Sequence, residues 1–133
     1  SGETEERLRV ANSSLSGKDI IYISPLTYKE ILKGLLEANP DNMMARQYLL
    51  MYDLVCCSLE EFMEYYSQNV IPGALYEQAA LIWLNINDAV NEENVARYGI
   101  SDQTLQRIQQ FYRFPERYTN SYWHYYAGLM LDK

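Results

Sequence analysis

Apolar side chains recur along this chain at helical spacing and are interrupted, every ten to fifteen residues or so, by proline, glycine and capping residues. Ile31, Leu32, Leu35 and Leu36 stand at i, i+1, i+4 and i+5, and Met44, Tyr48, Met51 and Val55 at i, i+4, i+7 and i+11. Both are the periods of an amphipathic helix. Between the two runs lies Asn39-Pro40-Asp41-Asn42. Proline cannot donate the next backbone hydrogen bond and pushes its predecessor out of the α region, so a helix stops there. Asp41 or Asn42 then caps the next one. Thr27 and Glu30 have capping-box spacing, which predicts a first helix from Thr27 to about Ala38 and a second from about Met43 to Cys57. The second carries a further stripe, Ala45, Leu49, Tyr52 and Cys56, as expected of a helix covered on more than one side.

The same grammar continues downstream. Ser58 and Glu61 form another capping box ahead of Leu59, Phe62, Met63 and Tyr66, all on one face. Asn69, Pro72 and Gly73 punctuate, and a fourth helix over about Gly73 to Asn87 aligns Leu75, Ala79, Ile82 and Ile86. Asn91 opens a short helix that Gly99 closes. Ser101 caps another, with Leu105, Ile108, Phe111 and Tyr112 expected inward, and Pro115 ends it. A last helix from about Thr119 to Leu131 groups Tyr122, Tyr125, Tyr126, Leu129 and Met130. Residues 1–24 are polar and turn-rich apart from Ile20-Ile21-Tyr22-Ile23, which is expected to be extended and to lie on the helices; a short helix is expected around Glu5 to Ala11. The predicted fold is all-α, with six or seven short helices over residues 25–133 in one helical-repeat domain, since joints this short make consecutive helices antiparallel neighbours.

Pro40 and Pro72 each precede an apolar helix, 32 residues apart, and residues 43–72 make a helix pair with bulky Tyr66 in the second helix and a terminal proline. In period and punctuation this resembles tetratricopeptide-type units. Leu50 and Phe62 stand where that consensus carries small residues. The resemblance implies antiparallel pairs stacked as a tetratricopeptide-like superhelix. A second resemblance rests on Leu36-Glu37-Ala38-Asn39-Pro40-Asp41-Asn42-Met43-Met44-Ala45, on Tyr76-Glu77-Gln78-Ala79-Ala80-Leu81-Ile82-Trp83 and on Tyr118-Thr119-Asn120-Ser121-Tyr122-Trp123-His124-Tyr125-Tyr126. These strings look like parts of an uncharacterised bacterial envelope family whose helical-repeat region follows a membrane-embedded part. That likeness implies a repeat domain at the periplasmic face of the cell envelope and carries no active-site residue over.

Composition narrows the function. The chain has 133 residues, 18 acidic against 11 basic side chains and a net charge of −7. No Lys or Arg occurs between Arg46 and Arg97, a span that holds eight Asp and Glu residues from Asp53 to Glu93. An acidic middle repels phosphate, which argues against nucleic-acid partners and anionic membrane surfaces. The longest apolar run, Ala79 to Leu84, is too short to cross a bilayer, so no direct membrane insertion by this segment is expected. The start, Ser1-Gly2-Glu3, shows no signal-peptide pattern and reads as a boundary left by processing or cloning.

The chemistry-bearing residues are few. His124 is the single histidine, and Cys56 and Cys57 are adjacent; no metal-ligand spacing exists, and neighbouring cysteines on a helix diverge by about 100° and read as two small buried apolar side chains. Glu60, Glu61 and Glu64 suit the start of a helix, where the macrodipole favours negative charge, more than acid–base work. No phosphate loop, dinucleotide fingerprint or nucleophile elbow is present, so no cofactor, no metal and no enzymatic activity are expected. Thirteen tyrosines combine apolar area with a polar tip. In the cluster at 118–126 the residues off the expected packing stripe, Trp123 and His124, together with Tyr118, are the candidates for partner or ligand contact. The function expected is a non-catalytic protein-interaction or scaffolding module that takes a protein or peptide partner. The alternative is an accessory glycan- or ligand-binding domain of a cell-envelope protein, which needs Trp123 or its tyrosine neighbours on the surface.

Overall fold

The computed structural model describes residues 2, 4–6 and 24–130. Residues 4–6 are helical; the rest of the helix expected around 5–11, the extended run at 20–23 and the end of the last helix at 131 lie outside the described residues. From residue 24 the order is α1 (Pro25–Ala38), α2 (Met43–Val55), α3 (Leu59–Tyr66), α4 (Ala74–Ile86), α5 (Glu92–Arg97), α6 (Asp102–Arg113), a 3-10 turn (Pro115–Arg117) and α7 (Tyr122–Met130). No strand occurs among the described residues, so the class is all-α. The chain divides into two compact units, residues 1–56 and 57–133.

Local chemistry sets the helix ends. Ser24, not Thr27, caps α1: its hydroxyl accepts from the Thr27 amide at 3.2 Å, and Pro25 takes the first helical position, where a missing N–H costs nothing. The cap therefore lies three residues earlier than the capping box suggests. Asn42, Asn91 and Ser101 cap α2, α5 and α6 as expected, accepting from Ala45, Asn94 and Thr104 at 3.1, 2.8 and 3.2 Å. Ser58 occupies the cap position of α3 but makes no side-chain capping bond. Gly99 closes α5 in the left-handed region (φ 63°), with the amides of Gly99 and Ile100 donating to Ala96 and Val95, the paired bonds of a Schellman motif. Asp88 closes α4 in the same way at φ 51°, its amide bonding Asn85 and that of Ala89 bonding Leu84.

In the first unit α1 packs on α2. Tyr28 meets Tyr52 with ring centroids 6.1 Å apart, and Lys29 Nζ lies 2.8 Å from Asp53 Oδ1. The start of α1 thus faces the end of α2, which makes the pair antiparallel. The inward face is Leu32 and Leu36 on α1, and Ala45, Arg46, Leu49, Leu50, Asp53 and Leu54 on α2. Met44, Tyr48 and Met51, expected as a core stripe, are exposed, and so are Ile31 and Leu35. Both flanks of α2 are apolar, so periodicity alone leaves its phase open; the Lys29–Asp53 pair, buried at 7% and 0% exposure, pins it, because a buried carboxylate keeps its charge only beside a cation.

In the second unit α4 is the hub, contacting α3, α6 and α7. Ala79, Ala80, Leu81 and Leu84 are essentially inaccessible, and the two alanines let neighbours come close. Leu59, Phe62, Met63 and Tyr66 of α3 are all buried as expected, with Phe62 stacked on Tyr66 at 5.0 Å. Tyr66 Oη donates to the Tyr98 carbonyl at 3.0 Å. Two side chains of α4 serve the starts of other helices. Glu77 Oε1 accepts from the Ser101 amide at 2.7 Å and from Thr104 Oγ1 at 3.0 Å, and the buried Gln78 Oε1 accepts from the Tyr122 amide at 2.7 Å. A carboxylate at the α6 N-terminus also meets the positive end of its dipole. Leu75 and Ile86, expected inward, are exposed, and so is Tyr112 at 64%.

Candidate functional site

The three residues singled out at the aromatic cluster do not form one site. The Tyr118 hydroxyl donates to Gln110 Oε1, which ties it to α6. Ser121 caps α7, accepting from the His124 amide at 3.2 Å while donating to the Tyr118 carbonyl at 2.6 Å. His124 is exposed, one residue on from Trp123 and therefore turned about 100° away from it. Trp123 is where the expectation fails: it is 3% exposed and belongs to the packing of α7. Its ring lies against Phe111 at 6.1 Å between centroids. An indole so covered offers no stacking platform to a sugar. Helical spacing assigned the inner face of α7 to Tyr122, Tyr125 and Tyr126, whereas Tyr122 and Trp123 are buried and Tyr125 and Tyr126 are half-buried. The inward direction is rotated by a fraction of a turn, because Gln78 draws the Tyr122 amide onto α4.

One polar group at this place is unsatisfied. Trp123 Nε1 is fully buried and no protein acceptor reaches it, an arrangement that costs about 1–3 kcal/mol. Trp123 also lines a cavity of about 330 Å³ bounded by Ile82 and Ile86 of α4, Phe111 of α6, and Ala127 and Met130 of α7. Asn85 Nδ2 donates to the Tyr112 hydroxyl at 3.1 Å, and both residues line the same space. The sequence hinted at these walls through the Ile82–Ile86 and Ile108–Phe111 spacings, but a cavity exists only where two such faces fail to fill each other, and spacing along one helix does not report that.

Several tyrosines are held protonated by burial. Burial pushes the Tyr52 and Tyr66 phenols up to about 12, and raises Tyr122 further, with the Cys57 thiol beside it acting in the same direction. Cys56 and Cys57 form no disulfide and are half-buried rather than fully buried, and burial raises the Cys56 thiol; a thiol held protonated is a poor nucleophile. Among the described residues no three His, Cys, Asp or Glu side chains gather in a way that would hold a metal ion, and no helix is long and apolar enough to cross a membrane.

The first unit carries exposed apolar side chains on both of its helices. Ile31 and Leu35 on α1 and Met44, Tyr48 and Met51 on α2 are each between 38% and 59% exposed. Each set recurs at i, i+4 or i, i+4, i+7 and so forms one stripe along its helix. A cleft of about 140 Å³ in this unit is lined by Thr4, Tyr28, Tyr48, Met51, Tyr52 and Val55.

A model describing a family of unknown function, DUF6057, matches residues 3–128 of the chain. No curated protein and no solved structure matches it.

Proposed function

Because the chain belongs to DUF6057, a family of unknown function, its role has to come from its own surfaces, and we propose that it is a non-catalytic protein-interaction or scaffolding module. The observation that carries this reading is the double apolar stripe of the α1–α2 pair. Five large apolar side chains left in water on two adjacent helices are more than the isolated exposed residues any surface has. Methionine and tyrosine dominate α2's share, and both suit binding: methionine adapts its shape to a partner, and tyrosine adds a hydroxyl at little entropic cost. The partner expected is an amphipathic helix or extended segment laid along the two stripes. With a net charge of −7, basic flanks on that segment favour encounter. The repeat-like period and punctuation suit the same role, since tetratricopeptide-type pairs present grooves to peptides, and the likeness to envelope-associated repeat regions favours a partner at the cell envelope.

The test is a purified chain carrying Leu35→Glu and Tyr48→Glu, two substitutions at exposed positions expected to leave helicity unchanged and the unfolding free energy within about 0.5 kcal/mol of the parent. A partner identified with the parent protein is expected to bind this variant at least tenfold more weakly, and to bind a Glu64→Lys control like the parent. Equal affinity for the double variant removes the stripe from the interface and the reading with it.

A further inference from the structure

We infer that the pocket where the start of α3, the end of α4 and the middle of α7 meet takes an alkylammonium group, the head that choline and a lysine side chain share. It lies wholly within residues 57–133, on elements that the protein-interaction reading does not use. The pocket has a volume of about 490 Å³, and its walls include Glu60 and Glu61 of α3, Trp83, Ile86 and Asn87 at the end of α4, and Tyr126 of α7. Two kinds of group share this space, and each is ordinary alone. Glu60 and Glu61 stand in the first turn of α3, where acids commonly sit. Trp83 and Tyr126 are half-buried members of helices. A helical backbone is enclosed by its own turns and side chains, so the area these two leave open is largely ring. Together they offer negative charge and aromatic rings to one ligand. An alkylammonium ion answers both, because ring faces attract a cation within about 6 Å while its alkyl groups lie against them.

The sign of the charge follows from the walls. Among the described residues that line the pocket none is a lysine, an arginine or a histidine, and the chain has no Lys or Arg between Arg46 and Arg97. The two helix ends cancel, since the first turn of α3 supplies about half a positive charge and the last turn of α4 about half a negative one. The carboxylates therefore decide, and an anionic ligand is repelled. Among the described residues no three His, Cys, Asp or Glu side chains gather to hold a metal ion, so an organic cation suits these walls better than an inorganic one. Ile86, 61% exposed, gives the alkyl stem an apolar rim. Asn87 Nδ2 is spent on the Trp83 carbonyl at 2.8 Å, which leaves the amide oxygen as the acceptor. A sugar also stacks on such rings, and the experiment separates it by charge.

The experiment is a titration of the folded protein followed by two-dimensional ¹H–¹⁵N NMR of the indole N–H signals, with Trp83→Leu to assign them. The probes are choline, its uncharged carbon isostere neohexyl alcohol, N-acetyl-lysine amide and N-acetylglucosamine. Saturable movement of the Trp83 signal is expected with choline, and binding about fivefold weaker with neohexyl alcohol. Glu60→Gln with Glu61→Gln, both at exposed positions, is expected to weaken choline about fivefold and to leave neohexyl alcohol unchanged. Glu92→Gln with Glu93→Gln, acids outside the pocket, is expected to bind choline like the parent. Trp83→Leu is expected to weaken choline to a similar degree, read from ligand-observed NMR, and helicity by circular dichroism is followed for every variant. Saturable binding of choline or of the lysine amide supports the ammonium site, and the tighter of the two names its source. Absence of a saturable shift with both cations, or equal binding of choline and neohexyl alcohol, overturns the inference. An equal loss in the Glu92 and Glu93 pair makes the effect one of net charge and overturns the pocket. Tighter binding of N-acetylglucosamine than of either cation makes this a sugar site instead.

Discussion

Asp88 sits at φ 51° where α4 ends, a conformation that a side chain with a Cβ adopts at a cost and glycine adopts freely. Gly99 performs the same task at the end of α5 with φ 63°. Asp88→Gly is therefore expected to raise stability by about 0.5–1 kcal/mol, read as a higher urea midpoint with an unchanged slope; a lower midpoint would mean that the aspartate side chain contributes more than its backbone strain costs. At the other kind of helix end, Asn42→Ala removes the oxygen that accepts from the Ala45 amide and is expected to cost about 1 kcal/mol. The sequence narrowed this cap to Asp41 or Asn42, because proline just before and an apolar stripe just after leave only those two, and the fold uses Asn42. The turn at Asp88 was not legible in the sequence, because aspartate is not the residue that such a position favours and nothing else in Asn87-Asp88-Ala89 marks it.

Pairs of helices are held here by a few polar side chains that reach across. Lys29 of α1 and Asp53 of α2 form a buried ion pair at 2.8 Å, with the Tyr52 ring 5.4 Å from the same ammonium. Lys29→Met deprives a fully buried carboxylate of that cation and is expected to cost about 3–5 kcal/mol. Adding Asp53→Asn is expected to recover part of that loss, because the neutral amide needs no counter-charge; denaturant unfolding of the single and double variants measures both. No recovery would show that Asp53 is required for its shape or its other contacts and not for its charge. In the second unit the reach of Tyr66 to the Tyr98 carbonyl does similar work between α3 and the end of α5. None of these links is visible along the chain, since the partners stand 24 and 32 residues apart and each looks like an ordinary polar residue on its own helix.

Across the whole molecule the buried phenols couple folding to alkaline pH. Tyr52 and Tyr66 are pushed up to about 12 by burial, and Tyr122 is raised as well, whereas an unfolded tyrosine titrates near 10. Above pH 10 the folded chain therefore holds protons that the unfolded chain has lost. By linkage the stabilising contribution of these groups is complete below about pH 10 and disappears as pH rises through about 12. Stability is expected to fall over that window, and the last part of the tyrosinate absorbance is expected to develop together with loss of helical circular dichroism. If all thirteen tyrosines ionise near pH 10 with helicity intact, the phenols are more accessible in solution than their packing implies. Because Tyr52 belongs to the first unit and Tyr66 and Tyr122 to the second, both units are expected to share this alkaline lability.

The all-α class and the joints at Asn39–Asn42, Pro72–Gly73, Gly99–Ser101 and Pro115 follow from the order of residues alone. Prolines, glycines and capping side chains act on the backbone within three or four residues, so their message is complete before any helix meets another. Which side of each helix is inside depends on how the helices meet in the folded chain. Met44, Tyr48 and Met51 form as regular a stripe as Ala45 and Leu49 do, yet the first set faces water and the second the core. Trp123, one residue out of the expected register, is buried among aromatics while His124 beside it is not. Periodicity measures how a helix could pack; the phase is chosen by contacts with distant residues, here the pairing of Lys29 with Asp53 and the hold of Gln78 on the start of α7.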